Sequence, residues 1–315
     1  MAEKNEIVRV EDLVKEFRSG LSWKPKRALR GISFKVFEGE IFGFVGPNGA
    51  GKTTTLKILM GLIRPSSGEA SLLGHGVGES EFRRHVGFLP ENPYFYDYLT
   101  ASEILEFFAK VSGVPRSERA DRVRTLLEWV GLDHAAHQRL RGYSKGMLQR
   151  IGIAQALVHD PKVVFLDEPM SGLDPIGRKE IRDLILRLRS EGKTVFMNTH
   201  ILSDVESVCD RVAIIAGGQI RYEGRIESFL GEGERRSDVV LAGVPAETLV
   251  RMEKSFGIDA TGIGDRTEFC VAEKKVNALL QMALDSDAEV ISVTAHRVSL
   301  EDVFLEAVHA SRENR

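Results

Sequence analysis

The chain has 315 residues, 43% hydrophobic and 28% charged, with a formal net charge of -3. That length admits one large domain and a small one, and the balance is that of a globular protein rather than a disordered or membrane-embedded one. The charge excludes a global attraction to nucleic acid, and two distant cysteines, Cys209 and Cys270, exclude a disulfide framework or a CxxC zinc site.

The first residues lack the apolar core of a signal peptide, and no run of about 18 apolar residues occurs, so a membrane would be met through a partner. Ile7, Val8 and Val10, ending at Phe17, read as a first strand, and Ile32–Val36 alternates as its return strand. The tip between them, Arg18–Arg27, is basic and reads as a solvated turn. Glu40–Val45 is a short continuous apolar run of the kind found in buried parallel strands. It flows into the glycine-rich stretch Gly46–Thr55 and then a helical stretch, Leu56–Leu62, closed by Gly61 and Pro65.

Thr100 and Glu103 have capping-box spacing ahead of Ile104, Leu105, Phe107 and Phe108 on one helix face. A second amphipathic helix carries Val123, Leu126, Leu127 and Val130 and stops at Gly131. A third starts near Ser144 and runs to Pro161, so a helical block fills about 94–160. Strand Val163–Leu166, a helix around Ile181–Leu188, strand Thr194–Asn198, a helix after His200 and strand Val212–Ala216 resume the α/β pattern.

Polar Gly231–Ser237 reads as a domain boundary, separating 1–230 from 237–315. Beyond it come strand Asp238–Leu241, a helix between Pro245 and Gly257, strands Ile258–Ile263 and Thr267–Val271, helix Lys274–Ala283 and strand Glu289–Thr294. That βαββαβ order predicts a ferredoxin-like α+β unit. A final helix with Leu300, Val303, Phe304, Ala307 and Val308 on one face follows.

Gly46, Pro47, Asn48, Gly49, Ala50, Gly51, Lys52 and Thr53 fit the phosphate-binding pattern G-x-x-x-x-G-K-[ST], with Thr54 next in line. Glycines let successive N–H groups approach phosphates, Lys52 adds a charge at the β/γ oxygens, and the Thr53 hydroxyl suits Mg²⁺. The helix that starts there points its positive end at the same anion. Asp167 and Glu168 close the apolar run Val163–Leu166. By itself such a pair is usually a solvated strand end. After a P-loop it predicts Asp167 at the Mg²⁺ and Glu168 as the base for the attacking water. The fold class expected is therefore an α/β P-loop NTPase core with an inserted helical subdomain.

With these motifs in place, the first 230 residues or so resemble an ABC transporter nucleotide-binding domain. Tyr143–Met147 lies where that family carries its LSGGQ signature, with Lys145 in place of a glycine and Met147 in place of the glutamine. Ser144 is a good N-cap and Gly146 leaves the first turn open to a phosphate. The resemblance implies that this turn covers the γ-phosphate held by an opposite subunit, in a homodimer or a heterodimer with a sister ATPase. Ser171–Asp174 resembles the D-loop, which places Asp174 at the dimer interface. His200 matches the switch histidine, although a lone histidine after a strand is more often structural. Phe17 lies where the family stacks an aromatic on adenine, and a core role fits it as well. Glu91 occupies the Q-loop position in place of glutamine, keeping an oxygen for Mg²⁺ or water but losing the amide donor.

The implied function is an ATP-Mg²⁺-dependent motor for a separate membrane permease, peripheral on the cytoplasmic face. The C-terminal stretch Ser299–Val308 resembles the accessory domain of bacterial exporter ATPases. The alternative is a soluble ABC-type ATPase acting on ribosomes or DNA, but one cassette, no sustained heptads and no basic run disfavour it. A kinase or GTPase would leave Ser144, Asp174 and His200 unexplained. The remaining histidines, His75, His85, His134, His137, His159, His296 and His309, have no metal-ligand spacing.

Overall fold

The computed structural model describes residues 5–17, 26–231, 236–258 and 260–296. The hairpin tip 18–25 and the closing helix expected over Leu300–Val308 lie outside the described residues. Two compact units are present, dividing between Ile226 and Glu227.

In the first unit, β1 (Glu6–Phe17) and β2 (Lys26–Phe37) carry both buried and exposed side chains, their period-two alternation broken by bulges where their pairing shifts register. β3 (Ile41–Val45) is buried along its whole length and leads into α1 (Lys52–Leu59). Then come β4 (Ser67–Leu72), β5 (His75–Gly76) and β6 (Val86–Leu89). The helical block holds α2 (Ala101–Val111), α3 (Arg116–Trp129) and α4 (Lys145–Ala156). Thr100 and Glu103 form the capping box at the start of α2. β7 (Val163–Asp167), α5 (Pro175–Ser190), β8 (Thr194–Thr199), α6 (Leu202–Val208), β9 (Arg211–Ala216) and β10 (Gln219–Arg225) complete it.

Two sheets result. β2-β1-β4-β5 is antiparallel, and β10-β9-β3-β8-β7-β6 is parallel except for β10. Phe34 of β2 stacks on Phe42 at 5.7 Å and leans on Phe44 and Phe196, so aromatic rings join the two sheets in one core. On the other flank, the Trp129 indole N–H at the end of α3 donates to Glu191 at 2.8 Å, and the Arg187 guanidinium lies 4.8 Å from the ring. These contacts tie the helical block to α5.

α7 (Ile226–Gly231) opens the second unit, followed by β11 (Arg236–Ala242), α8 (Ala246–Phe256), β12 (Ala260–Ile263), β13 (Arg266–Ala272), α9 (Glu273–Leu284) and β14 (Glu289–His296). Its strands run in the order β12-β13-β11-β14, all antiparallel. Val239, Leu241, Phe269, Val271 and Leu279 fill a separate core. The division falls ahead of the polar 231–237 segment, inside α7, just after buried Ile226, whose N–H donates to the Asp210 carbonyl of the first unit at 3.2 Å.

Candidate active site

β3, β8 and β7 are parallel neighbours, so Val45, Thr199 and Asp167 end on one edge of the sheet. The open edge at the carboxyl ends of parallel strands is where α/β folds place ligands. The chain leaves β3 through a loop that cannot accept ordinary side chains at two points. A Cβ on Gly46 would lie 2.3 Å from the Ile215 carbonyl oxygen. Gly51 has φ +116°, and a Cβ there would press on Leu29 and the Ala28 carbonyl. The loop then delivers Lys52 as the first residue of α1.

Lys52 is buried, and its ammonium donates to the Gly46 carbonyl at 2.6 Å and sits 3.9 Å from Glu168. Burial pushes it below the ordinary lysine value, while Glu168, Asp167 and Glu91 pull it back up. Asp167 moves the other way. Burial raises its carboxyl, the charges of Glu168 and Glu91 add to that, and a hydrogen bond from Asn198 with the charge of Lys52 opposes them. Glu168 adopts φ +49°, and its carboxylate meets His200 Nδ1 at 2.8 Å and the Thr199 hydroxyl at 3.1 Å.

Lys52, Asp167, Glu168, Asn198 and His200 line a cleft of about 500 Å³ with Asn48, Gly49, Thr53, Thr54, Glu91 and Phe17. The fold thus gathers residues far apart in the chain into one place. Ala28 and Arg30 line it as well. Phe17 is 44% exposed, with the Lys15 ammonium 5.2 Å from its ring, so its face is not spent in the core. Pro47 and Ala50 shape the loop, joined by an N–H to carbonyl bond at 3.1 Å. A larger hollow of about 890 Å³, bordered by Arg9, Glu69 and Arg83, contains none of these groups. Its charges are exposed and Arg9 is paired with Glu11, so size does not mark the site.

Ser144, Gly146 and Asp174 lie elsewhere, around a hollow of about 340 Å³ that shares no residue with the cleft. The Ser144 hydroxyl accepts from the Met147 N–H at 3.2 Å, and Asp174 accepts from the Gly177 N–H at 2.9 Å. Lys145 lies across Gly172, whose added Cβ would sit 2.3 Å from its ammonium.

The cleft can accept a divalent ion beside a phosphate. Thr53, Asp167 and Glu91 offer hard oxygen donors, and the buried Asn198 Oδ1 next to Asp167 has no hydrogen-bond partner. Among the described residues no three His, Cys, Asp or Glu side chains converge as a cage. An ion such as Mg²⁺ fits when phosphate oxygens complete its shell, which is its usual manner of binding.

Two contributors carry no motif signal. Asn198 and Thr199 reach Asp167 and Glu168 through the parallel register, in which Asp167 pairs with Asn198. Only a correct pairing of two strands thirty residues apart would have revealed them.

A glycine loop between strand and helix, with an acid pair on a neighbouring strand end, defines a P-loop nucleotide hydrolase. A family model described as ABC transporter matches residues 29–171. An uncharacterized ABC transporter ATP-binding protein of Synechocystis sp. is 44% identical over 304 residues, 95% of this chain and 84% of that one. The fluoroquinolones export ATP-binding protein of Mycobacterium tuberculosis is 36% identical over 96% of this chain and 93% of its own length. A dimeric ATP-binding cassette in a post-hydrolysis state, bound to ADP and Pi, superposes with a TM-score of 0.63 at 26% identity, covering 70% of this chain and 99% of that one. The chain belongs to the family of ABC transporter ATP-binding proteins. It is an ATPase that binds ATP with Mg²⁺ and serves as the ATP-binding subunit of an ABC transporter. Such subunits dimerise and work with membrane permeases.

Proposed function

We propose that two copies of this chain, or one copy and a sister ATPase, close around two ATP-Mg²⁺ and drive a separate permease as an exporter from the cytoplasmic face of the membrane. The observation that carries this reading is the division of the site residues between two hollows with no residue in common. One holds a lysine, carboxylates and a histidine for the triphosphate. The other presents the open first turn of α4, capped by Ser144, and the D-loop with Asp174. A second chain supplying its α4 turn to the γ-phosphate would complete each cleft.

Within the closed site, Lys52 turns from the Gly46 carbonyl to the β/γ oxygens, as the loop N–H groups cradle the phosphates. Thr53, Asp167 and Glu91 hold Mg²⁺, which offsets charge on the phosphate oxygens when bound. Glu168 takes the proton of the attacking water, and His200, tethered through Nδ1 to that carboxylate, lines the cleft beside it at the γ-phosphate end. Phe17 offers a face to the adenine.

Coupling to a permease is supported by the segment that follows Glu91. Tyr94, Tyr96 and Tyr98 are exposed there, at 89%, 51% and 62%, as is Phe107 of α2 at 46%, and exposed aromatics are enriched at protein contacts. No helix among the described residues is long and apolar enough to cross a membrane, so the channel would belong to another chain. The export direction rests on the relative named for fluoroquinolone export. The second unit, 237–315 in the sequence reading, is proposed as an accessory domain.

The test is affinity capture of tagged Glu168→Gln protein with ATP-Mg²⁺ from detergent-solubilised native membranes, read by mass spectrometry. Stoichiometric recovery of a multi-spanning membrane protein supports the permease reading. Recovery of ribosomes or DNA-bound proteins alone overturns it.

A further inference from the structure

Thr199 is the last residue of β8, 2% exposed and next to His200. Its hydroxyl has a single proton. The hydroxyl oxygen accepts from the Ile201 N–H at 3.1 Å, and Glu168 Oε2 lies 3.1 Å away. An ionised carboxylate only accepts, so the hydroxyl proton is committed to Oε2. The other carboxylate oxygen, Oε1, faces His200 Nδ1 at 2.8 Å and Lys52 at 3.9 Å.

Among the described residues, Glu168 is thus held on both carboxylate oxygens, by His200 and Lys52 on Oε1 and by Thr199 alone on Oε2. Its backbone sits in the left-handed region, with its N–H donating to the Asn198 carbonyl at 2.8 Å. A long side chain leaving such a backbone needs an external anchor to hold one orientation. Thr199 supplies it on the Oε2 side, as His200 does on Oε1, and the same hydroxyl is locked in turn by the Ile201 amide.

We infer that Thr199 is a positioning residue for ATP hydrolysis: its hydroxyl pins Oε2 of Glu168 and, with His200 on Oε1, holds the carboxylate in one orientation for the attacking water. The inference rests on Glu168 acting as the base. It assigns a hydrolytic role to a side chain that meets Glu168 rather than nucleotide. A purely structural threonine would matter only for the Ile201 amide and the end of the strand.

The experiment compares Thr199→Val, Thr199→Ser, Glu168→Gln and Thr199→Val/Glu168→Gln in the full chain, measuring kcat, KM, equilibrium ATP affinity and Tm. Valine keeps the shape and branching of threonine and removes only the hydroxyl. The expected result is a fall in kcat of about 10- to 100-fold for Thr199→Val, the scale of a small misplacement of a reacting group, with KM and ATP affinity unchanged. Thr199→Ser recovers most of kcat. In the double variant the valine adds no further loss, because the group it positions is already gone.

Wild-type kcat in Thr199→Val beside an inactive Glu168→Gln overturns the inference and leaves the base assignment standing. A joint loss of kcat, affinity and Tm that serine does not repair also overturns it, making the role structural. Full turnover in Glu168→Gln removes the base assignment and this inference together.

Discussion

The P-loop cleft and the Ser144 hollow differ in how much chemistry each already has assembled. In the cleft, Lys52, Asp167 and Glu168 are buried and in mutual contact or field, with shifts in Lys52 and Asp167 that burial and neighbouring charges explain. In the hollow, the side chains of Ser144 and Asp174 are spent on capping their own helices. Arg150 and Glu180 there stand 3.7 Å apart, with Glu180 well exposed. A single chain therefore pre-orients the half of the site that must hold buried charge against desolvation, where preorganisation has the greatest effect on reactivity. The half proposed to meet another molecule stays at the surface with its caps satisfied. Folding of one chain completes the first half. In the proposed dimer, association would give the second half its task.

Four substitutions test that contrast. Glu168→Gln keeps the shape of the cleft and removes the base, so kcat should fall by about 10²- to 10⁴-fold while ATP still binds, measured by steady-state turnover and equilibrium binding. Wild-type turnover would mean that the cleft does not hold the base. Lys52→Ala removes a buried cation that supplies charged hydrogen bonds, so ATP affinity should weaken by about 10- to 100-fold in a titration. Ser144→Arg strikes the other region. It should cut turnover by about tenfold through blocked closure and leave ATP binding to one chain intact, with ATP-induced dimerisation lost by light scattering. If monomer binding fell instead, the two hollows would not be independent. Thr100→Ala touches neither region. It removes the N-cap of α2 and should cost about 1 kcal/mol in denaturant unfolding with kcat unchanged.

The cleft was more legible in the sequence than the sheet that carries it. The P-loop and the acid pair are contiguous, and their strands read as unbroken apolar runs because parallel strands are covered on both faces. The capping box at Thr100 and the Ser144 cap depend on neighbours three residues away, so local spacing was enough. β4 is different. Ser67–Leu72 has three exposed residues in its first half, and its strand character comes from pairing with β1, Val8 opposite Leu72 and Val10 opposite Ala70. β10 pairs with the adjacent β9 but has no buried residue to mark it as a strand, and β6, which is short, owes its place to β7, distant in the chain. Asn198 and Thr199 stayed hidden for the same reason. A polar residue at a strand end has no meaning until the neighbouring strand is known. The D-loop resemblance assigns Asp174 to an interface and gives no sign that its carboxylate caps α5.

The contact at the end of α3 has a practical consequence. The chain contains two tryptophans, Trp23 and Trp129, and the second bridges the helical block to α5 through Glu191 and Arg187. Indole emission responds to the loss of a hydrogen bond and to the withdrawal of a cation from the ring. Any swing of the helical block away from α5 must change both at once. With Trp23→Phe removing the other indole, the protein becomes its own label-free optical gauge of that swing, readable in a stopped-flow cell as nucleotide is mixed in.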